Sequence, residues 1–168
     1  TKHRAVGIYA PLSNSFFDKK LQESRMRFGL ELVPKKQVRT FFAENRDRLT
    51  ATMFGADQSP TYNKKVYWTR FLNQDTAVMF GVEKYAKEYD CPVVFGKISK
   101  VKRGFYEFEF IPIEDNPANS SYGAITEKHT RLLEEEIREA PAYWLWTHKR
   151  WKRKKSTEAA SETNNSNE

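Results

Sequence analysis

Along this chain, short apolar runs of strand length alternate with stretches whose apolar residues recur at helical spacing. That alternation constrains the fold more than any other feature. Val6-Gly-Ile-Tyr9 reads as a strand that stops at Pro11. Ser13 or Asn14 caps a helix with Asp18 near its first turn, Gly29 just past its end and Phe17, Leu21 and Phe28 as an apolar stripe. Leu30–Val33 is a short strand, and residues 37–48 form a second helix with Val38, Phe41, Phe42 and Leu49 inward. Thr50–Gly55 is a buried strand and Ala56–Pro60 a loop. Val66–Phe71 is extended, and Asp75–Tyr89 is helical with Val78, Val82, Tyr85 and Ala86 on one face. Pro92–Ser99 turns through Lys102-Arg-Gly104 into Phe105–Ile113. In the latter, Tyr106, Phe108 and Phe110 alternate with Glu107 and Glu109, which predicts a hairpin with one wet face near a sheet edge. Helices at about 122–139 and 141–152 close the fold. Strands interleaved with helices in this way predict an α/β layer structure with a mixed sheet.

The segment Ala140-Pro-Ala-Tyr-Trp-Leu-Trp-Thr-His-Lys-Arg-Trp-Lys-Arg-Lys-Lys155 holds three of the four tryptophans and six of the 29 Lys and Arg residues. As a helix at ~100° per residue, it places Tyr143, Trp144, Thr147, His148 and Trp151 on one broad face. That face packs on the body, and the cations are left to solvent or to a partner. The formal net charge is +7, of which residues 147–155 contribute six positives, while the polar tail beyond carries three glutamates. An anionic partner at that end follows, either lipid head groups or nucleic acid. Residues 156–168 are rich in Ser, Thr, Asn and Glu and are expected to be disordered.

Other features exclude whole classes. A single cysteine, Cys91, rules out a disulfide framework and a Cys-rich zinc site, and reads as a buried thiol. Mean hydropathy is −0.79, and no apolar run reaches the ~18 residues of a bilayer-spanning helix. No signal-peptide pattern opens the chain, which starts at Thr1 and suggests an excised part of a longer protein. There is no Gly-rich phosphate loop, nucleophile elbow or His-Glu-x-x-His.

Asp57-Gln58 follows a strand, where α/β sheets bind ligands, and reads either as a pair that orients a hydroxyl or holds a catalytic partner, or as a loop cap before Pro60. Arg25 and Arg27, near a helix C-terminus, answer either its dipole or a phosphate. His129 and Glu134 match His-x-x-x-x-Glu, but within one helix they fall on different sides, so the match is coincidental.

Three blocks, in order, resemble the bacterial lipid A biosynthesis acyltransferases, the late lauroyl and myristoyl transferases of the lysophospholipid-acyltransferase-like superfamily. Gly7-Ile-Tyr9-x-Pro11-x-x-Asn14, Asp18 and Arg25-x-Arg27 are similar to one block of that family. Ala56-Asp57-Gln58, Phe71 and Thr76 through Gly81 are similar to the next. Ala140-Pro-x-x-x-x-Trp146-x-His148-Lys-Arg150-Trp151-Lys152 is similar to its C-terminal signature. Two departures stand out. Ala142 occupies a position that is usually acidic, and the family's catalytic His-x-x-x-x-Asp/Glu, which precedes the first block, has no counterpart ahead of Gly7, since His3 is followed at that distance by Ile8.

The resemblance implies a glycerolipid-acyltransferase-like fold with its N-terminal portion missing. Residues 1–152 would be the C-terminal portion of the acyltransferase domain, and 153–168 a basic run with a disordered tail. It implies transfer of a fatty acyl chain from acyl-carrier protein to a hydroxyl of a lipid A precursor, without metal or other cofactor, at the cytoplasmic face of the bacterial inner membrane. By itself, the chain would be inactive. Arg25, with Arg27, would hold an acceptor phosphate or sugar. Asp57 and Gln58 would shape the acceptor side of the same cleft, and Phe71, Thr76 and Phe80 would make acyl-chain or structural contacts. Lys152, Arg153, Lys154 and Lys155 would dock the acidic carrier protein or an anionic membrane surface. The alternative is a basic α/β nucleic-acid-binding module without catalysis. Loss of an upstream strand and helix would bare apolar surface and favour self-association.

Overall fold

The structure, a computed structural model, describes residues 2–61 and 65–155. It divides into two compact units, residues 1–55 and the remainder from 56, and each is described by itself.

The first unit is built on β1 (Arg4–Tyr9), central in a three-stranded parallel sheet of order β2-β1-β3, where β2 is Glu31–Pro34 and β3 is Thr50–Met53. Val6 of β1 faces β2 on one side and β3 on the other and is fully buried. The expected cap of α1 (Ser15–Met26) is Asn14, whose side chain accepts from the amides of Phe16 and Phe17. Asp18 accepts from Leu12 N and from Gln22 Nε2, which fixes how the helix leaves the strand. The apolar stripe lies differently from expectation. Leu21 is half-buried beside Asp18 and Gln22, whereas Phe17 and Phe28 are 61% and 91% exposed. Three strands of four to six residues offer too little surface to cover both faces of a helix end.

The second helix is shorter than expected. A 3₁₀ turn at Lys35–Gln37 leads into α2 (Val38–Glu44), which ends where the Asn45 side chain donates to the Phe41 carbonyl, competing with the helix's own ladder. Val38 is buried as expected, while Leu49 is exposed. β3 is an edge strand and only half-buried, with Met53 exposed.

In the second unit the stretch expected to be helical over Asp75–Tyr89 divides. β4 (Val66–Phe71) pairs antiparallel with β5 (Gln74–Met79), and only then does α3 (Gly81–Tyr89) begin. Leu72 and Asn73, with φ of 48° and 64°, form the two-residue turn whose twist suits a hairpin, and this sets Val78 opposite Tyr67. A second hairpin, β6 (Val93–Lys102) with β7 (Phe105–Glu114), turns at Gly104, as expected. Residues Phe105–Phe110 are exposed on both of its faces, not on one. A 3₁₀ turn at Pro117–Asn119 precedes α4 (Ala124–Glu139). The core of this unit gathers Ala86 of α3, Ile113 of β7 and Ile125 of α4, with Val82, Val93, Phe95 and Leu132 packed around them. Cys91 is half-buried, and burial, followed by the charge of Asp90, raises its thiol above the usual range. The chain is thus α/β, with parallel strands in one unit and antiparallel strands in the other, spread over three small sheets among the described residues.

Candidate functional site

Beyond Glu139 the expected last helix does not form. Pro141–Tyr143 makes one 3₁₀ turn, and the chain then runs through successive tight turns, with Trp146 N bonded to Trp144 O, His148 N to Leu145 O and Arg150 N to His148 O. The indole N–H of Trp146 donates to the Pro141 carbonyl at 2.7 Å, which also accepts from Trp144 N, so the segment closes on itself as a tight turn. The side chains consequently do not segregate into rings inward and cations outward. Trp144 and Trp151 are half-buried, Tyr143 and Trp146 are exposed, and Arg150 is 4% exposed.

These inward side chains converge on the β4–β5 hairpin and on the loop before it. Phe71, at the end of β4, lies 6.2 Å from the Trp144 ring and 6.5 Å from that of Trp151, with the Arg150 guanidinium 5.7 Å from its centre. Arg150 Nη1 donates to the Ala77 carbonyl at 2.9 Å. Trp151 Nε1 donates to Thr76 Oγ1 at 2.8 Å, and that hydroxyl donates to the Gln74 carbonyl. The buried amide of Ser59 donates to His148 Nε2 at 3.0 Å, and Arg153 Nη1 donates to the Thr61 carbonyl. Burial pulls the Arg150 guanidinium down to about 10, against the opposing effect of the Asp57 carboxylate. Its Nε and the hydroxyl of Ser59 are buried without a hydrogen-bond partner.

The second and third sequence blocks are therefore joined in space. The 56–61 loop, Phe71 and Thr76 of one block meet His148, Arg150 and Trp151 of the other. Asp57 is half-buried and Gln58 exposed in that loop. Phe80 lies tilted against Tyr122 at 4.9 Å and stacks with Tyr67 at 6.5 Å. Lys152, Lys154 and Lys155 are exposed and Arg153 is half-buried. Arg25 and Arg27 belong to the first unit, exposed at the end of α1, where the Arg27 guanidinium lies 5.6 Å from the Phe28 ring.

His129 and Glu134 do not form a pair. Glu134 accepts from Leu72 N and from Arg138 and Arg131, while His129 is buried under the influence of Glu83. Sequence reasoning missed Glu83, which is fully buried yet accepts from Gly123 N at 2.5 Å, from Thr126 N at 2.9 Å and from Thr126 Oγ1 at 2.7 Å. A glutamate in the first turn of a short helix carries no local sign that it will cap a different one.

Residues 1–153 match the family described as bacterial lipid A biosynthesis acyltransferase. The chain belongs to that family. Its chemistry is accordingly acyl transfer in lipid A biosynthesis, with a lipid A precursor as the implied substrate. A search of curated proteins gives no match. Among the described residues of this acyltransferase-family chain, no helix is long and apolar enough to cross a membrane.

Proposed function

We propose that residues 1–152 form the C-terminal, acceptor-holding portion of a lipid A acyltransferase that uses acyl-carrier-protein thioesters at the cytoplasmic face of the bacterial inner membrane. The observation that carries this reading is the family match together with the junction between the Asp57 loop and the C-terminal signature. In the reaction, an acceptor hydroxyl loses its proton to a histidine base, its oxygen attacks the thioester carbonyl, the C–O ester bond forms and the carrier thiol leaves. The base is assigned to a His-x-x-x-x-Asp/Glu ahead of Gly7, as the family's block order implies. Arg25, with Arg27 in support, grips an acceptor phosphate, because a planar guanidinium binds it through two parallel bonds. Asp57 and Gln58 orient the acceptor sugar, and the exposed Lys152, Lys154 and Lys155, with Arg153, attract the acidic carrier or anionic head groups. Phe71 and Thr76 act structurally beneath the C-terminal segment, and Phe80 does so in its aromatic stack. Family membership disfavours the nucleic-acid alternative.

The test is acyl transfer by the full-length product of the reading frame, with lipid A precursor and acyl-carrier-protein thioester. Arg25→Ala and Asp57→Ala should each lower kcat/KM for the acceptor by roughly 10- to 100-fold, the range expected for losing a hydrogen bond to a charged group. Serine at all four of positions 152–155 should raise KM for the carrier thioester. Full activity in the two alanine variants would remove the assigned roles.

A further inference from the structure

The loop that carries Asp57 has no regular structure to hold it. It is pinned at its far end, where Ser59 is 8% exposed and Pro60 is fully buried. Proline has no amide hydrogen, so the Ser59 N–H is the last backbone donor before Thr61. A buried amide needs a partner, and this one has His148 Nε2 at 3.0 Å. An imidazole nitrogen that accepts is unprotonated, so the geometry assigns the proton to Nδ1. The main chain at His148 is itself held. Its backbone N–H donates to Leu145 O, and its carbonyl accepts from Arg150 N, whose side chain is anchored on Ala77 O and the Phe71 ring.

We infer that His148 is a positioning residue, whose Nε2 holds the Ser59 amide and so sets the direction of the Asp57 side chain two residues earlier. The consequence for catalysis rests on the role of Asp57 proposed above. Asp57 would then act on the acceptor from a loop whose rigidity comes from the far end of the sequence. The sequence offers His148 as a ring in a basic, aromatic run and as one position of the C-terminal signature, and the loop bond gives it a task of its own.

Three measurements test the inference. In the 168-residue chain, nitrogen-15 NMR of His148 should show Nε2 as the bare nitrogen. His148→Ala should speed hydrogen exchange at the Ser59 amide by about 10-fold or more, leaving α4 amides unchanged. His148→Gln, whose Oε1 can accept in the same place, should restore protection. In the full-length acyltransferase, His148→Ala should lower kcat/KM for the lipid acceptor with KM for the carrier thioester unchanged, and His148→Gln should recover most of that loss. A protonated Nε2 in the wild type, unchanged Ser59 exchange in His148→Ala, or unimpaired transfer in His148→Ala each overturns the inference. A wild-type enzyme that transfers no acyl chain overturns the proposed function instead, and the nitrogen and exchange measurements still decide whether His148 holds the loop.

Discussion

Glu83 is the clearest case of one side chain organising its surroundings. α4 is preceded at its N-cap by Gly123, a residue with no side chain to cap it, and Glu83 from α3 supplies both carboxylate oxygens to the open amides there. The helix N-terminus favours that negative charge. Glu83→Ala orphans the Gly123 and Thr126 amides in a dry interior and should cost about 3 kcal/mol or more, read as a lower urea midpoint, while Glu83→Gln should fall between. One turn further along α4, His129 is buried, and burial lowers its pKa from 6.5 to about 4 although Glu83 and Glu127 pull the other way. The unfolded chain therefore binds a proton between pH 6.5 and 4 that the folded chain resists. Stability is fully present above about pH 6.5 and should decline on acidification toward pH 4, by on the order of 3 kcal/mol from this residue. Urea titrations at stepped pH check it, and His129→Leu should flatten that slope. A histidine that first draws notice as half of a catalytic motif is here a neutral ring within the fold.

At the scale of elements, Gly123 shows how a single backbone angle ties α4 to the β4–β5 hairpin. Its φ is +84°, and a Cβ there would lie 2.3 Å from Tyr67 Cε2. Gly123→Ala should therefore destabilise by about 2 kcal/mol or more, from left-handed strain together with the displaced ring, visible as a lower thermal midpoint. Trp151→Phe should cost less, about 1 kcal/mol, because it loses the bond to Thr76 but keeps a ring on Phe71. These elements also mark what could be read in advance. β1, α1 with its Asn14 cap, β4 and the β6–β7 hairpin are written in local pattern and turn chemistry, and the structure contains them. β5 was hidden because Gln74–Met79 runs without a break into a helical pattern, and the turn that separates it from β4 uses Leu72-Asn73 in place of a glycine pair. The terminal helix gives way because His148, Arg150 and Trp151 bind partners in the 56–61 loop and the β4–β5 hairpin, while Trp146 binds back to the Pro141 carbonyl. The site was legible to the same extent. The motif residues could be named, but contacts such as Ser59 with His148, 89 positions apart, follow from tertiary packing alone.

Across the whole chain, charge and apolar exposure are both unevenly placed. Residues 1–55 carry 11 Lys and Arg against five Asp and Glu, so the cationic excess is not confined to the terminal run. A run of exposed rings lies on one face of the β6–β7 hairpin. There Ile98 sits opposite Phe108, Lys100 opposite Tyr106 and Gly96 opposite Phe110. Ile98, Tyr106, Phe108 and Phe110 are 57–66% exposed, and Ile98, Lys100 and Tyr106 meet Tyr143 around a groove of about 350 Å³. Neither strand of this pair has another hydrogen-bonded neighbour among the described residues. A two-stranded ribbon with open edges and an aromatic face lowers its free energy by pairing with another surface. The 168-residue chain should therefore associate as its concentration rises, through apolar contact, so the association should persist in high salt, where charge-driven contacts weaken. Sedimentation velocity over a concentration series checks this. Ile98→Lys with Phe110→Glu should reduce the association while sparing Phe108, whose ring covers Gly96. A single monomeric boundary at every concentration, with a sharp thermal transition that does not move with concentration, would show that the exposed hairpin face does not drive assembly.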